Sequence, residues 1–175
     1  AHWYSTMYAW YTTASWWVSA VALTILTIIY LKSKGYMPMV TTEHLHDLGK
    51  YMFAFSIFWT YLWFSQYMLI WYGNIPEETV WFVERWQGAY KILFFVNIIL
   101  NWAIPFFVLM PRKTSRSKMF IFPVIVLLMI GQYTELYYII WPNVVHEAKF
   151  GLLEIGAFLG YAGVFSLVVS SWLTK

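Results

Sequence analysis

The sequence predicts an all-α integral membrane bundle of five transmembrane helices, and three observations carry that expectation. Of its 175 residues, 61% are hydrophobic and only 11% charged, outside the balance of a water-soluble domain. Apolar stretches of about 20 residues or more, enough to cross a hydrocarbon core of about 30 Å, recur five times. Each stretch is too long for a barrel strand and lacks strict alternation, which leaves helices that satisfy their own backbone groups.

The first stretch, about 3–31, opens on Trp3, Tyr4 and Trp10, amphipathic rings suited to the headgroup level. The second, about 48–72, stops where Gly73 ends a helix and Pro76 forbids its continuation. The third, about 80–110, ends at Pro111 and carries Pro105 inside it. A proline there frees the carbonyl of Asn101, four residues earlier, and that carbonyl needs a partner in lipid. The fourth, about 119–141, tolerates Pro123 near its first turn and ends at Pro142. In the fifth, about 150–173, Gly156 and Gly160 form a G-x-x-x-G pair, followed by Gly163, which predicts close helix packing. The connections are short, so sequential helices are expected to be antiparallel neighbours in a single bundle.

Basic side chains favour the cytoplasmic side of short loops. Lys32, Lys34, Lys50, Arg112, Lys113, Arg116, Lys118 and Lys175 gather on one side, while Arg85 and Lys149 stand on the other. The expected orientation therefore has Ala1 outside and Lys175 on the cytoplasmic side. Residue 1 is not Met and a helix begins almost at once, as expected of the second half of a ten-helix subunit.

The chain has no cysteine, hence no disulfide, thiolate ligand or C-x-x-C-H haem attachment. His2, His44, His46 and His146 fall at helix ends or in loops, so no haem is expected within this chain. His44 and His46, beside Glu43 and Asp47, are spaced i, i+2, which on a helix turns two imidazoles to opposite faces; no metal site is expected. These acids suit a helix N-terminus, and His46 with Asp47 also suits a proton-exchanging cluster at a cytoplasmic mouth. No nucleic-acid partner is expected.

The chemistry-bearing residues inside the spans are Gln66, Lys91, Asn97, Asn101, Gln132, Glu135 and Glu154. A charge at membrane depth costs about 3 kcal/mol, so such groups pair or line water. Lys91 and Glu135 are expected to face one another or a shared water chain between the third and fourth helices, with Gln132, Gln66 and the Asn101 carbonyl as water partners. Interhelical hydrogen bonding is the alternative for the amides. Glu154, about one turn inside its helix, suits an interfacial carboxylate.

Residues 46 to 79 read HDLGKYMFAFSIFWTYLWFSQYMLIWYGNIPEET. Asp47, Leu48, Gly49, Ala54, Phe55, Trp59, Tyr61, Phe64, Ser65, Gln66, Asn74, Pro76, Glu77 and Glu78 carry a series of D-L-G, aromatic, F-S-Q and N-I-P-E-E elements. This series resembles the ActF-type subunits of bacterial alternative complex III, within the NrfD-like (polysulfide reductase membrane subunit) family. The match is specific in this helix and the loop after it; elsewhere it rests on topology. The resemblance implies a membrane subunit of a quinol:cytochrome c oxidoreductase, without a redox centre of its own. It implies partner subunits carrying haem c and iron–sulfur clusters, an ActC-like membrane subunit near which quinol is oxidised, and a role in proton conduction. Asn74, Pro76, Glu77 and Glu78 would then form an outer turn for docking a redox subunit, or simply a helix terminator. Two rival functions are a quinol-binding role in the same complex and half of an inverted-repeat secondary transporter.

Overall fold

The computed structural model describes residues 6–111, 114, 117–144 and 151–173. His2, Arg112, Lys113, Ser115, Arg116, His146, Glu147, Lys149 and Lys175 lie outside the described residues, so the charge asymmetry above is only partly placed. Among the described residues the regular elements are all helical: α1 Thr6–Ser33, α2 Thr42–Gly73, α3 Pro76–Arg85, α4 Tyr90–Leu109, α5 Lys118–Ile140 and α6 Leu152–Leu173. Four of these segments, Met7–Ser33, Tyr90–Leu109, Met119–Ile140 and Leu152–Trp172, are long and apolar enough to cross a membrane. The second helix, α2, is not among the four. Glu43, Asp47 and Lys50 charge its first turns, and its body is rich in Trp and Tyr, which lower hydropathy without making a helix soluble.

The stretch 80–110, expected as one helix, is two. Asn74 takes a left-handed conformation (φ 46°) and its N–H donates to Ile70 O at 3.0 Å, closing α2. Pro76 then occupies the first turn of α3, with Glu77 and Glu78 in that turn, a combination favoured by the missing proline N–H and the helix dipole. Gly88, at φ 55°, ends the turn between α3 and α4, a conformation that a side chain would strain. The long span therefore starts at Tyr90. At the other end of α2 the helix begins earlier than expected, because Thr41 caps it: the Thr41 N–H donates to His44 Nδ1 at 3.0 Å.

The middle of α4, Ile99–Ala103, is a π-helical turn. Its cause is Pro105, which cannot donate to Asn101 O and so loosens the preceding turn. The freed Asn101 carbonyl finds the partner that lipid cannot give: Ser56 Oγ on α2 donates to it.

Packing divides the bundle into layers. At the end carrying residues 34–41, here the lower end, Val18, Ala22, Ile25, Met52, Leu109, Ile125 and Leu128 form an apolar cluster. At the upper end, Tyr11, Ala14, Trp59, Leu62, Trp63, Phe94, Tyr138 and Ile139 form another. Between them lies a layer of buried polar side chains from α1, α2, α4 and α5. The last helix, α6, stands apart: open space surrounds Gly156, Gly160 and Gly163. The expected glycine packing is therefore not made within the described residues of this chain.

Candidate functional site

The polar layer centres on Glu135. Four helices bring its components together because each carries one or two polar residues at the same point of its buried stripe: Ser15 on α1, Ser56 and Trp59 on α2, Asn97 and Asn101 on α4, Gln132 and Glu135 on α5. On α2 the stripe runs Leu45, Gly49, Met52, Ser56, Trp59, Trp63, Gln66, Ile70, a helical period of three to four residues.

Glu135 is fully buried (0% exposed). Ser15 Oγ donates to its Oε2 at 3.0 Å and Trp59 Nε1 donates to its Oε1 at 2.9 Å. The Tyr11 hydroxyl, buried and lacking a hydrogen bond of normal geometry, lies beside the same carboxyl group. Among the described residues no Lys, Arg or His forms an ion pair with Glu135; Lys50 and Asp47 pair with each other at 2.8 Å.

From Glu135 an amide ladder runs into α4. The Gln132 side chain has partners on both sides. In one orientation its amide nitrogen donates to Ser15 O and to Glu135 Oε2, each at 3.2 Å. In the other, Nε2 donates to Asn101 Oδ1 at 3.0 Å. Asn101 Nδ2 in turn donates to Asn97 Oδ1, and Asn97 Nδ2 is a buried donor with no protein partner among the described residues. The ladder depends on a close approach of α5 to the π turn. A Cβ added at Gly131 would lie 2.5 Å from Asn101 Oδ1 and 2.8 Å from Leu100 Cβ. Asn101 can swing its amide away, at the expense of the ladder, but Leu100 Cβ cannot move without the backbone. Gly131→Ala is therefore expected to destabilise the fold by about 1–3 kcal/mol through overpacking. Thermal unfolding in detergent checks this; an unchanged midpoint would show that the helices are not in contact here.

Lys91 is corrected. The side chain does not face Glu135: it is exposed, with Nζ 5.3 Å from the Trp86 ring centroid. The break at Gly88 places it in the first turn of the span rather than ten residues into it, so it sits where a lysine is ordinary. The buried cation is instead Arg85, also 0% exposed. Its Nη1 donates to Trp81 O at 2.9 Å, its Nε to Tyr138 O at 3.2 Å and its Nη2 to Ile139 O at 2.8 Å. The guanidinium also lies 3.8 Å from the Trp81 ring centroid. Carbonyls in the last turn of α5 have no partner within the helix, and a cation there also suits the dipole. Arg85 thus pins α3 onto the C-terminus of α5, directly above the layer that holds Glu135.

The remaining sequence candidates separate. Gln66 is buried on the α2 stripe, seven residues above Trp59, roughly 10 Å along the helix. Glu154 is buried rather than interfacial, and its Oε2 accepts the Gly151 N–H at 2.7 Å, so it caps its own helix. A cavity of about 430 Å³ between α5 and α6 is lined by Glu154 on one side and Gln132 on the other. Asp47 is exposed, and its hydrogen bond to the Lys50 ammonium holds its carboxyl below the usual range. His46 is buried and His44 exposed, the divergence that i, i+2 spacing predicts. Asn74 and Pro76 serve as helix cap and helix start, with Glu77 exposed and Glu78 half-buried beside them.

Sequence reasoning missed Ser15, Arg85 and the role of Trp59. An indole N–H at membrane depth needs an acceptor, which is the signal that Trp59 offered. For Arg85 the signal was PEETVWFVER followed by a glycine turn, a short helix in its own right. Compared with known proteins, the chain matches no family model and no curated sequence.

Proposed function

We propose that this chain is a five-span membrane subunit of a respiratory quinol:cytochrome c oxidoreductase of the alternative complex III type, with Glu135 as a proton-exchanging group in its interior. The observation that carries the proton role is a fully buried carboxyl, held by Ser15 and Trp59 without an ion-pair partner among the described residues. Such a group at membrane depth is costly, and the cost is characteristic of ion and proton pathways. A carboxyl locked to a cation would be structural; one surrounded by neutral donors exchanges its proton without breaking an ion pair. The ladder Gln132–Asn101–Asn97 supplies groups that donate on one side and accept on the other.

The fifth span is α2. Its buried stripe runs from Leu45 to Ile70, and it packs along α1 through the whole depth of the bundle. With α2 counted, the upper end faces outward by the positive-inside rule. Cysteines introduced at Asn74 and at Ser115 are then expected to react with impermeant reagents from opposite faces; labelling from one face contradicts the five-span count.

The assignment to the complex rests on the resemblance of residues 46–79, and the haem c, iron–sulfur and ActC-like partners come with it. Its test is purification from the native membrane. Co-migration with haem c and iron–sulfur subunits, together with quinol:cytochrome c activity, is expected; a chain that purifies free of redox subunits contradicts it. The π turn at Asn101 favours one other assignment, a transporter half, because irregular backbone near the midplane is where transporters place their sites.

A further inference from the structure

Two cavities beside α2 share the Tyr67 and Trp86 side chains and differ in character. The deeper, about 600 Å³, is almost wholly apolar and runs between α2 and α4 from Trp86 past Phe94 to Trp102. From Tyr90 to Trp102 is twelve residues, roughly 18 Å, close to the depth of one leaflet. The shallower, about 690 Å³, lies between the end of α2 and α3 and adds Asn74, Thr79 and Gln87 to its walls, with no acidic residue among them. Lys91 lines neither cavity, but its Nζ lies 5.3 Å from the ring centroid of Trp86, which lines both, and it is exposed and in no ion pair among the described residues.

We propose that these cavities together bind one anionic glycerophospholipid, an acyl chain in the aromatic groove and the headgroup in the polar cavity, its phosphate beside Lys91. The apolar groove alone would take any chain that the bilayer offers. Selectivity comes from charge complementarity: a lysine whose ammonium is free of carboxylates, at the level where a phosphate sits, beside neutral amide and hydroxyl groups that hydrogen-bond phosphate or glycerol oxygens. A quinol fits less well, since its head is uncharged and gains nothing from Lys91. This inference does not rest on the proton role of Glu135.

The test uses the full chain in the assembly it forms, reconstituted in nanodiscs of phosphatidylcholine with one tenth phosphatidylglycerol, followed by lipid extraction after transfer to detergent. One lysine near an anionic headgroup supplies about a fivefold preference, so phosphatidylglycerol is expected to rise from one tenth of the input to about a third of the retained lipid. Lys91→Met should abolish the enrichment and keep the amount of retained lipid. Thr60→Trp, which fills the groove, should reduce retained lipid whatever its headgroup. If either variant fails to assemble, wild-type protein still decides, because the enrichment must fall as salt rises. No enrichment in the wild type, enrichment that survives Lys91→Met or high salt, or displacement of the lipid by added quinol would overturn the proposal.

Discussion

Glu135→Gln is expected to slow quinol-driven proton movement by about a hundredfold, within the range ascribed to a positioned proton-transfer group, while the assembled subunit accumulates normally. Gln has the shape of Glu: its Oε1 can accept from Trp59 Nε1 while its amide nitrogen donates to Ser15 Oγ, a hydroxyl that accepts as well as donates. What it cannot do is carry and release a proton. Glu135→Leu separates the structural contribution from the chemical one. It strands the buried Trp59 N–H, at about 1–3 kcal/mol, while Ser15 Oγ keeps the Gln132 amide as a partner, and should lower the yield of assembled protein. Proton movement measured in sealed vesicles with a pH-sensitive dye distinguishes the two substitutions. Normal proton movement in Glu135→Gln would leave the site a hydrogen-bonded packing element. Lys91→Met is expected to change neither quantity, because Lys91 lies outside this cluster.

Arg85→Met should be the most destabilising charge removal among the described residues. It leaves Tyr138 O and Ile139 O without their donor and removes the stacking on Trp81. Orphaned buried carbonyls and a lost cation–π contact together amount to about 3–5 kcal/mol. The expected result is a lower unfolding temperature in detergent and faster proteolysis between α3 and α4, where Gly88 turns. Arg85→Lys should recover only part of the loss, since one ammonium cannot reproduce the planar fork that reaches three carbonyls. An Arg85→Met protein as stable as the wild type would mean that α3 is not pinned to α5.

The long apolar helices and the polar layer were legible in the sequence because both depend on periodicity. Gln66, Gln132 and Glu135 stand out on stripes that are otherwise apolar, and the structure buries all three. The partner requirement of the Asn101 carbonyl was legible too, since Pro105 removes its donor whatever the fold; that Ser56 would meet it depends on the register of α2 against α4, which periodicity does not set. The Lys91–Glu135 pairing failed for a local reason. Counting residues down one continuous helix gave Lys91 a depth that the turn at Gly88 cancels. That turn follows a short helix, Pro76–Arg85, whereas the sequence places Glu77 and Glu78 in an outer turn and Arg85 within the stretch 80–110. Arg85 is buried only because the end of α5 offers it carbonyls, a tertiary fact without a sequence signature. The open face of α6 belongs to the same class, as Gly156 and Gly160 announce a close approach without saying to what.

The central claim is that the carboxyl of Glu135 exchanges its proton inside the membrane. Infrared difference spectroscopy between the oxidised and quinol-reduced states of the assembled protein tests it most directly. The account predicts a protonated-carboxyl C=O band that changes on turnover, shifts in heavy water and disappears in Glu135→Gln. A difference spectrum whose carboxyl region is identical in wild type and Glu135→Gln would contradict it.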